Sequence, residues 1–245
     1  MKMVILIALL VGGSTIIGGA FGLFIGRTSR RFCDGSLSFA AGVMLAAAIL
    51  GLILPSLGYG GRFGFVTTVF GLFFGAFCVH LMDMMIPFMP FSPGNDREER
   101  FKRVCLFVMA IAWHNLPEGI AAGVGMGTDD ISGGIMIAVA IALQNLPEGL
   151  IVAVSLRGVG VGRVKAFLIS AFTGVIEILG CLVGYFAVNI SLSLLPLILA
   201  LAGGTMLYVI SEEMIPETHS EDNGRMSTYL LLAGFSLILM MNSIM

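Results

Sequence analysis

Two stretches decide the fold: RVCLFVMAIAWHNLPEGIAAGVGM (103–126) and ISGGIMIAVAIALQNLPEGLIVAVS (131–155). Each is long and apolar enough to cross a bilayer, which takes about 20 residues as a helix. Each also carries the same polar phrase near its middle, HNLPEG at His114–Gly119 and QNLPEG at Gln144–Gly149. A carboxylate at that depth costs roughly 2.5–3.5 kcal/mol on insertion scales. Two of them in one frame require a compensating partner, and a divalent metal ion would supply it.

Working outward, six further apolar segments lie near 3–26, 36–58, 63–89, 165–188, 191–212 and 228–245. Charged residues make up only 11% of the chain, against about 25% in a soluble domain. Mean hydropathy is +1.02. The expectation is an all-α integral membrane protein, one transmembrane domain over 1–245 with eight membrane helices. The first segment reads as a retained span, since its apolar run is too long for a secretory signal and no small-x-small cleavage site closes it. The net charge of −2 excludes nucleic acid as a partner. Cys33, Cys78, Cys105 and Cys181 show no CxxC spacing and read as apolar cysteines. Small-xxx-small pairs at Gly71/Gly75, Gly119/Gly123 and Gly180/Gly184 predict close helix contacts.

The basic residues set an orientation. Eleven of the thirteen Lys and Arg fall in the odd-numbered connections, leaving only Lys2 and Arg62 opposite. The positive-inside rule places the odd connections in the cytoplasm and both termini outside. The fourth and fifth segments then run antiparallel, and their phrases meet at mid-depth.

On a helix His114 and Glu118 share one face, as do Gln144 and Glu148. They offer an imidazole nitrogen, an amide oxygen and two carboxylates, a set suited to Zn²⁺. Asn115 and Asn145 sit three residues before the glutamates, near enough to serve a neighbouring position. Pro117 and Pro147 free the carbonyls of Trp113 and Leu143, and a kink at each would open room for an ion. Glu177, alone in the sixth segment, is either a further metal group or an interhelical hydrogen-bonding one. Met44 is either a thioether donor or packing. His80 and Asp83, and Glu212, Glu213, Glu217 and His219 of SEEMIPETH, form either an acidic exit lining or a solvated helix end. Asp129 and Asp130 read as a turn in the outer connection.

These motifs resemble the ZIP (Zrt-, Irt-like protein) family of metal-ion transporters. HNLPEG, QNLPEG, Glu177 and SEEMIPETH stand in the family's order across the whole chain. The absence of a long histidine-rich loop is similar to the compact bacterial branch, which implies a plasma (inner) membrane. The resemblance implies a 3+2+3 arrangement, with the first and last three helices as inverted repeats around a central antiparallel pair. It implies a main site of His114, Glu118, Gln144, Glu148 and Met44, and an adjoining one of Asn115, Glu118, Asn145, Glu148 and Glu177. The exit would run by Glu212, Glu213 and His219, with His80 and Asp83. Zn²⁺, Fe²⁺, Mn²⁺ or Cd²⁺ would be the transported substrate, moved into the cytoplasm by alternating access, with no organic cofactor. A homodimer is the family expectation. Two departures stand out: many members carry His where Gln144 stands, and some carry Asp in place of Asn145.

Two other classes compete with the transporter reading. An intramembrane metalloenzyme would present HExxH and a nucleophile, and the sequence has no HExxH. A scaffold whose polar groups only glue helices would show no metal dependence. The transporter reading alone uses all three glutamates. Ionised and unpaired they would cost about 7.5–10.5 kcal/mol together. A dication offsets most of two charges, and a proton on the third would make flux pH-dependent.

Overall fold

The computed structural model describes residues 1–24, 29–85, 96–128, 130–190, 192–219 and 224–244. Among them there is no strand. Eight helices are long and apolar enough to cross a membrane: α1 (Lys2–Phe24), α2 (Arg31–Tyr59), α3 (Gly61–Met82), α4 (Val104–Gly125), α5 (Ile131–Gly158), α6 (Arg163–Val188), α7 (Leu195–Thr218) and α8 (Gly224–Ile244). This is the eight-span membrane fold read from the apolar runs. The α4 helix reaches back beyond its apolar part to Asp96.

One helix end differs from expectation through a device that two helices share. Both α2 and α7 pass a proline without breaking, because a wider π turn precedes it. In α2 the turn covers Ala47–Ile53 ahead of Pro55. In α7 it covers Ile210–Met214 ahead of Pro216, so the helix reaches Thr218 rather than stopping at 212. Proline cannot donate to the preceding turn, and the wider turn absorbs the mismatch.

The helices sort by their packing. Helices α1, α4, α5 and α6 pack together, chiefly α1 on α5 and α6, and α4 on α6. Helices α2, α3, α7 and α8 form a second group, chiefly α3 on α7 and α2 on α8. The groups meet mainly where α2 touches α5 and α4 touches α7.

Small residues permit the closest crossings, since lipid supplies no hydrophobic drive between helices. Gly12 of α1 lies against the carbonyl of Gly174 in α6, and Gly174 against that of Gly12. The expected pairs also pack: Gly119 and Gly123 against α6, Gly180 and Gly184 against α4, and Gly71 and Gly75 against α7.

A methyl group at Gly12 would strike the Gly174 backbone, whereas one at Gly13 meets nothing within 4 Å. Gly12→Ala is therefore expected to cost about 1–3 kcal/mol of overpacking and Gly13→Ala close to nothing. Thermal unfolding of the detergent-solubilised protein checks this, and equal midpoints for the two variants would contradict the packing.

Candidate metal-ion site

The two repeated phrases sit inside continuous helix, with Pro117 within α4 and Pro147 within α5. Trp113 and Leu143, whose carbonyls the prolines leave without their helical donors, are both partly exposed on the outer surface. The polar residues point the other way. Asn115, Glu118, Gln144, Asn145 and Glu177 are wholly buried, Glu148 is 1% exposed and His114 4%. Helical spacing sets this: in each phrase the first, second and fifth residues turn inward, and leucine and proline turn out.

The side chains are held by a partial hydrogen-bond network. Gln144 Nε2 donates to Glu118 Oε1 at 2.7 Å. Asn145 Nδ2 donates to Glu177 Oε1, and also to the Val11 carbonyl at 3.3 Å. Thr15 Oγ1 donates to Glu177 Oε2 at 2.6 Å. Glu177 is thereby gripped on both oxygens by α1 and α5. His114 Nδ1 lies 3.9 Å from Glu213 Oε2 of α7, beyond hydrogen-bond range.

What remains unsatisfied is concentrated. Buried side-chain atoms without a hydrogen-bond partner are His114 Nδ1, both amide atoms of Asn115, Glu118 Oε2, Gln144 Oε1, Asn145 Oδ1 and both Glu148 oxygens. Among the described residues these atoms belong only to the two phrases. Such groups are rare in folded proteins, and each costs about 1–3 kcal/mol. Lone-pair donors from nitrogen, amide oxygen and carboxylate oxygen, gathered from two adjacent helices, suit a borderline-soft dication. Among the described residues no three His, Cys, Asp or Glu side chains already stand close enough to form a cage. The donor set includes amides, and Glu118 and Glu177 spend oxygens on Gln144, Asn145 and Thr15.

Other expected positions fall in different places. Met44 is fully buried in the main hydrophobic core. Glu213 reaches the His114 side of the site, whereas Glu212 faces out of the bundle. His219 is exposed, with Nδ1 near the Ile215 carbonyl at 3.0 Å and Nε2 3.2 Å from Thr228 Oγ1. His80, also exposed, sits 3.0 Å from the Tyr208 hydroxyl. The Asp83 side chain and all of Asp129 lie outside the described residues. Asp130 caps α5, accepting from the Gly133 amide at 2.9 Å.

One participant and one contact went unrecognised in the sequence. Thr15 is one hydroxyl in an apolar span, a common occurrence with no spacing signal. The approach of Glu213 to His114 depends on the π turn that carries it, which no local pattern announces.

A family model described as ZIP Zinc transporter matches residues 90–242. The chain is 37% identical over 238 residues to Zinc transporter ZIPB of Bordetella bronchiseptica, covering 94% of this chain and 77% of that one. Zinc transporter GufA of Myxococcus xanthus is 32% identical over 243 residues, covering 96% of each. Zinc transporter ZIP11 of Xenopus tropicalis is 30% identical over 314 residues, covering 94% of each.

Removing the grip on Glu177 tests the geometry. Thr15→Val keeps the shape and deletes the donor, and is expected to weaken Zn²⁺ binding about tenfold, as loss of a supporting hydrogen bond does at metal sites. Titration calorimetry on purified protein measures it, and unchanged affinity would remove Thr15 from the site.

Proposed function

The chain belongs to the ZIP family of zinc transporters, and from that membership we propose that it carries Zn²⁺ across a membrane into the cytoplasm by alternating access. Fe²⁺, Mn²⁺ and Cd²⁺ are further candidate substrates. The observation that carries this reading is the confinement of partnerless buried donor atoms to the two phrases of α4 and α5. A scaffold would have closed those hydrogen bonds between helices.

In this reading His114, Glu118, Gln144 and Glu148 bind the ion, with Met44 lending sulfur. Asn115, Asn145 and Glu177 complete an adjoining position that shares both glutamates. Gln144 serves through Oε1, since its amide nitrogen is occupied by Glu118. Glu213 then receives the ion from the His114 side and passes it toward Glu212 and His219, with His80 and Asp83 further out. Carboxylates in series let a dication move without being left bare in low dielectric.

The proposed arrangement is 3+2+3 with inverted repeats. Its support is that exchanging α1 with α6, α2 with α7, α3 with α8 and α4 with α5 maps the principal helix pairings onto one another. The π turn before proline recurs in α2 and α7. Orientation follows the basic residues, with both termini outside a plasma membrane.

Proteoliposome uptake with competing Zn²⁺, Fe²⁺, Mn²⁺ and Cd²⁺ tests the proposal. Wild type accumulates Zn²⁺, and the Glu118→Ala/Glu148→Ala double variant is expected to lose uptake at least about tenfold. Normal accumulation by the double variant would overturn the reading. Gln144→His adds a nitrogen ligand and is expected to shift preference toward Zn²⁺ over the harder Mn²⁺. Unmoved selectivity would take Gln144 out of the coordination set.

A further inference from the structure

Behind the metal motif of α5 lies a groove bounded by α2, α5 and α8. Its volume is about 550 Å³, inside the roughly 300–1,000 Å³ typical of small-molecule sites. Its walls are almost wholly apolar, from Phe39 of α2 through Pro147 and Leu150 of α5 to Leu230 of α8. Arg31 is the one charged residue in the lining and stands at the end where α2 enters the membrane. Among the described residues Arg31 is exposed and has no carboxylate partner.

The dimensions match one leaflet. The lining runs along α2 from Arg31 to Phe39 and along α5 from Ala142 to Leu150, a helical rise of about 12 Å on each. Half of the hydrocarbon core is about 15 Å. The groove therefore starts at a membrane face, beside a cation, and ends near mid-depth at the back of QNLPEG. A shape that is apolar along its length and basic at its interfacial end fits one acyl chain below a phosphate.

We propose that this groove binds an anionic phospholipid from the leaflet at the Arg31 face, and that the bound chain modulates transport. The modulatory half rests on the transporter reading; the binding half does not. The chain would lie against Leu146 and Pro147, while Gln144, Asn145 and Glu148 face the opposite side of the same helix. It would also fill the α2–α5 seam, one of the main places where the two helix groups touch. A lipid there bears on any displacement of one group against the other.

Native mass spectrometry of the purified full chain with phosphatidylglycerol or phosphatidylcholine tests binding. Wild type is expected to retain phosphatidylglycerol preferentially. Arg31→Gln removes the charge at an exposed position and is expected to weaken that retention about fivefold, the worth of one basic residue at an anionic surface. Ser36→Phe fills the groove from α2 and is expected to abolish retention of both lipids. Equal retention of the two lipids by wild type, or phosphatidylglycerol retention unchanged in Arg31→Gln, would overturn the site. Chain-to-chain crosslinking through Ser36→Cys would overturn it too, by putting a second copy in the groove.

Zn²⁺ uptake in phosphatidylcholine vesicles with and without phosphatidylglycerol tests the modulation. Uptake by wild type is expected to rise severalfold with the anionic lipid and that of Arg31→Gln to stay flat. Identical uptake in both vesicles would overturn the modulation. Lipid retention in the expected pattern with no uptake in any vesicle would sink the transporter reading and leave the lipid site standing.

Discussion

Anionic oxygen buried in a low-dielectric helical bundle is the constraint to which the rest of this structure answers. Glu118, Glu148 and Glu177 are all essentially inaccessible, and the basic residues of their segments, Arg103, Arg157, Arg163 and Lys165, stand only at the segment ends. The chain answers with hydrogen bonds only in part. Glu177 is fully occupied by Thr15 and Asn145, Glu118 is half occupied by Gln144, and Glu148 has no partner at either oxygen. This gradation from a held to a free carboxylate suits a site that binds a cation and releases it. A fully satisfied network would be stable and inert, because every lone pair would already be spent.

The close helix crossings serve that site directly. Gly119 of the first phrase meets the backbone of Glu177, and Gly149 of the second meets the backbone of Thr15. Each phrase is thus pressed against a neighbouring helix at the residue that completes the polar network. The two contacts have the same geometry and different chemistry, a carboxylate on one side and a hydroxyl on the other. The hydroxyl donates to the carboxylate, so the asymmetry is used. Two glutamates at those positions would have faced each other with no proton donor between them.

One helix carries two faces of consequence. On α5, Gln144, Asn145 and Glu148 look into the bundle, whereas Leu146 and Pro147 look into the apolar groove. Pro147 leaves the Leu143 carbonyl on that face without its helical donor, a gap that apolar surroundings make costly. Whatever presses on the groove presses on the backbone that sets the spacing of the donors.

Local pattern determined a good deal. Eight apolar runs, the antiparallel course of α4 and α5 and the inward turn of His114, Asn115, Glu118, Gln144, Asn145 and Glu148 all follow from length, hydropathy and the 3.6-residue period. Those properties are carried by neighbours in the chain, and so could be read there. Thr15 meeting Glu177, Glu213 meeting His114 and the groove under Arg31 join residues far apart in sequence. The helix end at Thr218 was misjudged because a π turn lets the helix run through proline, a local geometry that is settled by packing against other helices. Which helices become neighbours is decided by the fit of glycine against backbone, as at Gly12 and Gly174. In lipid that choice rests on close packing over the whole interface, and no single segment of sequence contains it.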